Sequence, residues 1–279
     1  MYISPCRETV QPLTDPELEL DCHDCKATQS SFQVAKKHSI PENTMADTTT
    51  NNNEDTAVAV PEELFHTILT VIDYHTDTSG STRTVYVLGT HTSLAAAKAF
   101  TLHALQDLKY EPEDFAVFAT RATTPAEEWK YGDGVLVYAE APAGQIFLLG
   151  IDTKPNTESL PSGGPDNTPL LPRDYTHLHY VMQNKTDYNQ DKSGAYQSSE
   201  IEGCYVYRAD AVNAALALLA PDKGEFAQYD ERTSVHDDPE SDWPYGEDVF
   251  VHAVAETGEN YTVAVRTVPG AHKRYAKKH

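Results

Sequence analysis

Trp129-Lys130-Tyr131-Gly132-Asp133-Gly134-Val135-Leu136-Val137-Tyr138-Ala139 has a second version in the same chain, Trp243-Pro244-Tyr245-Gly246-Glu247-Asp248-Val249-Phe250-Val251-His252-Ala253. Both follow WxYG(D/E)xVxVxA, and from Trp129 to Trp243 the displacement is 114 positions. Other matches keep that spacing. Asp73-Tyr74, Asp77, Ser79-Gly80 and Gly89 fall on Asp187-Tyr188, Asp191, Ser193-Gly194 and Gly203. Self-similarity at a fixed period marks a repeat architecture, so every fold or site inference has to hold for both copies.

Outward from the quoted stretch, alternation in Val135 to Ala139 predicts a strand with Val135, Val137 and Ala139 on one face. A hairpin through Pro142-Ala143-Gly144 would pair it with Gln145 to Asp152, whose Phe147, Leu149 and Ile151 share a face. The second copy has Val249, Val251, Ala253 and Tyr261, Val263, Val265 at those places. Upstream, Phe65 to Tyr74 and Thr84 to Gly89 read as a strand pair rich in β-branched residues. Leu94 to Leu108 has one apolar stripe behind a Thr92 or Ser93 cap and stops at Glu111-Pro112, which predicts a helix. Phe115 to Arg121 is a further strand.

The second copy repeats this order: strands at His177 to Asp187 and near Glu200 to Tyr207, a helix from Ala209 to Leu219, and a strand from Glu225 to Arg232. Phe115 to Phe226 is a displacement of 111, so the helix or its exit is three positions shorter in copy two. The loop before Trp243 recovers the difference. Gln183 and Lys185 replace Leu69 and Val71 in the first strand, which predicts a solvated face there and a first-copy face turned toward the other repeat.

The expected fold class is therefore α+β, two tandem homologous repeats related by a pseudo-two-fold. Each would be a mainly antiparallel sheet of about five strands on one helix, in the order β-β-α-β-β-β. The expected organisation is a disordered extension over 1–60, repeat 1 over 61–156, a linker over 157–176, repeat 2 over 177–271 and a basic tail over 272–279. Asn43 to Thr56 is too polar to offset chain entropy, and Met45 is a plausible internal start.

With 21 Lys and Arg against 43 Asp and Glu, the formal charge of −22 disfavours nucleic acid and anionic membrane as partners. Met1 to Val10 has no apolar run, and Ala214 to Ala220 is far too short to span a bilayer. A cytoplasmic or nuclear, non-secreted protein is expected. Four cysteines are too few for a disulfide scaffold.

Chemistry-bearing patterns are sparse. The Asp-rich loops resemble the opening of a calcium loop, but Lys192 and Ser198 stand where a Gly and a Glu are needed, which favours ordinary turns. Cys6, Cys22, Cys25 and His38 could form a Cys3His zinc set, yet their spacing is unusual. His177 and His179 would share a strand face without a third ligand. No metal or cofactor is expected.

The ligand-facing candidates are Trp129, Tyr131, Asp133 and Arg121 with Trp243, Tyr245, Glu247 and Arg232. Aromatic residues beside one acid suit a small-ligand pocket, whereas an Arg stacked on Trp would be a structural clasp. What the copies share is mainly turn, aromatic and core residues. No catalytic residue is assigned, and the leading expectation is a non-enzymatic protein- or peptide-binding module. The alternative is a small-molecule-binding protein or enzyme with a pocket between the repeats.

Overall fold

A strand whose alternate side chains are apolar needs an apolar layer to cover them, and here each sheet has one on both sides. The computed structural model describes residues 59–233 and 243–268; the zinc set, the internal Met45 and the basic tail lie outside them. Repeat 1 contains β1 (Glu63–Asp73), β2 (Arg83–His91), α1 (Leu94–Asp107), β3 (Val117–Thr120), β4 (Val135–Glu140) and β5 (Gln145–Pro155). Repeat 2 contains β6 (His179–Asp187), β7 (Gln197–Tyr205), α2 (Arg208–Leu218), β8 (Phe226–Glu231), β9 (Val249–Ala255) and β10 (Glu259–Thr267). The five-stranded sheets have the same order, β2-β1-β5-β4-β3 and β7-β6-β10-β9-β8, with every described pair antiparallel. The α+β two-repeat fold holds.

Two of the irregularities recur in both copies. Leu88 and Glu202 are the extra residues of bulges in β2 and β7, and Leu136 and Phe250 of bulges in β4 and β9. A bulge reverses the alternation beyond it. Val137 and Ala139 therefore pack under α1, but Val135 lies on the opposite face, contrary to the simple period-two expectation. Phe147 and Leu149 join the α1 core, and Ile151 keeps their face, opposite Thr67, whose hydroxyl meets Thr101 of α1.

The offset of 111 has a plain cause: α1 is 14 residues and α2 is 11. Ser93 Oγ caps α1 by accepting from Ala96 N–H at 3.3 Å. Pairing fixes the alignment independently, since Phe118 lies opposite Ala139 and Tyr229 opposite Ala253. Leu69 and Val71 pack with Ala104, Leu105 and Leu108, at the end of α1. They do not face the other repeat, as the sequence suggested. At the same places Lys185 lies over Tyr261, 5.5 Å from the ring centroid, and pairs with Glu259 at 3.7 Å. Another substitution is paired: buried Thr67 and Thr101 join hydroxyls at 2.9 Å, and Val181 and Ala215 replace both in repeat 2. Losing both partners together leaves no orphaned hydroxyl.

The repeats meet through the sheet faces opposite their helices. Leu64, Val85 and Val87 form one core with Leu178, Tyr180, Met182 and Ile201. Leu160, between the repeats, is buried in that core and is held by Asn156, which accepts from Leu160 N–H at 2.9 Å and donates to its carbonyl at 2.9 Å. The connecting segment thus contributes packing as well as length. At the centre lie His66 and Tyr180, positions equivalent under the displacement of 114, with rings edge to face at 5.7 Å. Thr90 Oγ1 joins them, 2.9 Å from His66 Nδ1 and 2.8 Å from Tyr180 Oη.

Candidate functional site

Arg121 and Arg232 sit just past the ends of β3 and β8, where their backbone N–H groups donate to Leu136 and Phe250 carbonyls at 2.8 and 3.0 Å. That register sets each guanidinium over a tryptophan. Arg121 lies 5.4 Å from the Trp129 ring centroid and Arg232 lies 5.1 Å from that of Trp243. Each Trp meets its tyrosine edge on, at 5.1 Å for Tyr131 and 4.9 Å for Tyr245. Each tyrosine then stacks on a β-strand ring, Tyr131 on Tyr138 at 3.9 Å and Tyr245 on His252 at 3.8 Å. Gly132 and Gly246 have φ of +99° and +113°, a region that a side chain disfavours.

Six of the eight candidates therefore assemble as two separate clasps, one per repeat. Asp133 and Glu247 do not join them as ion-pair partners among the described residues; both are exposed. Arg232 instead donates to three carbonyls of its own loop, Val249 at 2.9 Å, Gly246 at 3.0 Å and Glu247. Trp129 donates its indole N–H to the Gly132 carbonyl at 2.8 Å. Trp129 and Arg232 thus turn their donors on their own loops, whereas Tyr245 turns to Asp230 and the buried Trp243 indole N–H has no partner among the described residues.

Repeat 2 adds one titratable cluster. Asp230 accepts from Tyr245 Oη at 2.8 Å and from Gln228 at 2.6 Å, and lies 3.7 Å from His252 Nδ1. Those hydrogen bonds lower the Asp230 pKa and the Tyr245 pKa is raised by the same contact. Burial lowers that of His252, against the pull of Asp230. Repeat 1 has Val117, Ala119 and Tyr138 at the Gln228, Asp230 and His252 positions, so the cluster belongs to one copy.

The duplicated Asp loops spend their oxygens internally. Asp77 accepts from Ser79 Oγ at 2.6 Å, Ser81 Oγ at 2.5 Å and Thr82 N–H at 2.9 Å, and Asp191 accepts from Ser193 Oγ at 2.7 Å. Such bonds to the charged form hold both carboxyls below their ordinary pKa. Tyr74 and Tyr188 lie against Gly80 and Gly194, where an added Cβ would come within 2.6 and 3.0 Å of the ring. The loop is a turn held by its own side chains. His177 precedes β6 and is exposed; its ring touches that of His179 at 5.2 Å. Among the described residues no three His, Cys, Asp or Glu side chains are grouped to hold a metal.

A cleft of about 370 Å³ lies where the repeats meet, and the sequence reading missed the residues that line it. Ile68, Thr70, Val135 and Leu148 line it from repeat 1, and Ser199 and Glu200 from repeat 2. Asp152 and Lys154 line it as well; Asp152 crosses to accept from Ile201 N–H at 3.2 Å. None of the four clasp aromatics lines it. A signal existed in the alignment of copies, since Asp152 corresponds to Arg266 and Gly134 to Asp248.

Compared with known protein families, with curated proteins and with solved structures, the chain gives no match in any of the three.

Proposed function

We propose that this protein is a non-enzymatic binding module whose partner is a protein or peptide, docked by adding a strand to β3. The carrying observation is the contrast among sheet edges. β3 pairs with β4 on one side and has no strand on the other among the described residues. Its sequence, Val117-Phe118-Ala119-Thr120, has no charge, and Val117 is 37% exposed. The counterpart β8 carries Gln228, Asp230 and Glu231, and charge on an edge discourages pairing. At the opposite edges, β2 and β7, the other repeat reaches backbone groups through Arg266 and Asp152. An unprotected edge supplies main-chain affinity to an extended ligand.

The one-copy occurrence of the Asp230 cluster supports the non-enzymatic reading, because the duplicated residues are clasp, turn and core residues. A small-molecule ligand in the cleft is the second reading, favoured by a volume of about 370 Å³, within the ordinary range for such sites.

Linear peptides selected against the immobilised protein are expected to shift the amide resonances of Val117 to Thr120. Val117→Lys is expected to weaken them at least tenfold, and Gln228→Lys to leave them unchanged. Selected peptides that bind both variants equally well would overturn the β3 assignment.

A further inference from the structure

The copies diverge where each reaches across to the other. Arg266 in β10 donates from Nη1 to the Val85 carbonyl at 2.7 Å, so repeat 2 places a guanidinium on the outer edge of repeat 1. Under the displacement of 114, Arg266 corresponds to Asp152 and Val85 to Ser199. The strand pairing repeats at this point, with Val85 opposite Thr70 and Ser199 opposite Asn184. The Ser199 carbonyl is therefore the counterpart of the one that Arg266 occupies. Both Asp152 and Ser199 line the cleft.

The cleft is the half of a symmetric arrangement from which side-chain bulk has been removed. Gly134 stands for Asp248, Gly150 for Ala264 and Asp152 for Arg266. What remains is an apolar floor of Ile68, Val135 and Leu148 beside two carboxylates, Asp152 and Glu200. Lys154 spans those carboxylates at 3.7 and 3.9 Å, looser than a hydrogen-bonded ion pair. A planar guanidinium on a hydrocarbon stem matches both parts, bidentate on carboxylate at its head and apolar along its length. The charge of −22 favours the approach of such a cation.

We propose that the cleft binds an arginine side chain presented by a peptide, in the place that Arg266 fills on the pseudo-symmetric side. This rests on the binding-module reading and names its partner's chemistry, but uses a different surface from β3. The head group meets Asp152, Glu200 and the Ser199 carbonyl, and the stem lies along Ile68 and Leu148.

The test titrates the full chain calorimetrically, at low salt, with the capped peptide acetyl-Ala-Tyr-Arg-Tyr-Ala-amide. Saturable one-to-one binding is expected, weakened at least tenfold when citrulline replaces arginine. Glu200→Lys, at a side chain 61% exposed, is expected to weaken binding at least tenfold while keeping the parent's melting temperature. Leu148→Trp, which fills the cleft, is expected to do the same, with Thr70→Trp as the substitute should that variant not fold. Val117→Lys is expected to leave the titration unchanged, which separates this site from the β3 edge. Equal binding of the citrulline peptide, or parental binding by both Glu200→Lys and a cleft-filling variant, would overturn the proposal. So would arginine amide binding as tightly as the peptide.

Discussion

Tyr180→Ala is expected to destabilise the folded protein by about 3–5 kcal/mol, the ordinary cost of deleting a large buried aromatic. Tyr180 is 1% exposed, and its ring is shared between the halves: it packs with Leu64, Val85 and Val87 of repeat 1 and with Met182 and Ile201 of repeat 2. Its hydroxyl also ends the chain from His66 through Thr90. Tyr180→Phe keeps the packing and removes the hydroxyl, leaving Thr90 its bond to His66, so about 1 kcal/mol is expected. Denaturant titration of both variants reads the two contributions separately. A loss below about 1 kcal/mol for Tyr180→Ala would mean that the shared core holds little of the fold, given how such deletions behave elsewhere.

Acid is expected to weaken the protein before its carboxylates titrate. His66 is fully buried, with Nδ1 on Thr90 Oγ1 and Nε2 without a partner among the described residues. Burial holds its pKa at about 4 rather than 6.5, and Lys154 and His91 nearby act in the same direction. The unfolded chain therefore takes up a proton at this position between pH 6.5 and 4, and the folded one does not. Stability contributed above pH 6.5 is lost as pH falls through that window, by about 1.4 kcal/mol per unit and about 3 kcal/mol in all. His91, His179 and His252 are also lowered by burial and add to the same trend. His66→Gln is expected to flatten the slope of stability against pH by about 1.4 kcal/mol per unit between pH 6 and 4.5. Parallel slopes for parent and variant would place the acid sensitivity elsewhere.

Both predictions concern an interface whose residues the sequence did not identify, although it carried the order of strands and helix along each repeat. The repeated Trp-x-Tyr-Gly stretch, the paired Gly residues and the offset of 111 defined two copies of one strand-and-helix order, and the 14- and 11-residue helices account for that offset. Periodicity failed at Val135 because a bulge at Leu136 depends on β5, a partner that one strand's pattern does not specify. It failed for Leu69 and Val71 because an apolar face does not reveal whether a helix or another sheet covers it. Within the site, the Arg–Trp contact was readable, since both residues recur near each other in each copy. The lining of the cleft was legible only by aligning the copies, because its volume comes from residues smaller than their counterparts, Gly134, Gly150 and Asp152. Absent bulk has no motif.

Each repeat contains one of the two tryptophans, which permits a direct test of whether the halves form a single cooperative unit. In Trp243→Phe the remaining indole, Trp129, reports repeat 1; in Trp129→Phe, Trp243 reports repeat 2. A core shared through His66, Tyr180, Met182 and Leu160 predicts that, in each variant, fluorescence unfolding by urea coincides with the loss of total secondary structure. Fluorescence and secondary-structure transitions that separate in either variant, with one repeat unfolding while the other keeps its structure, would contradict the account.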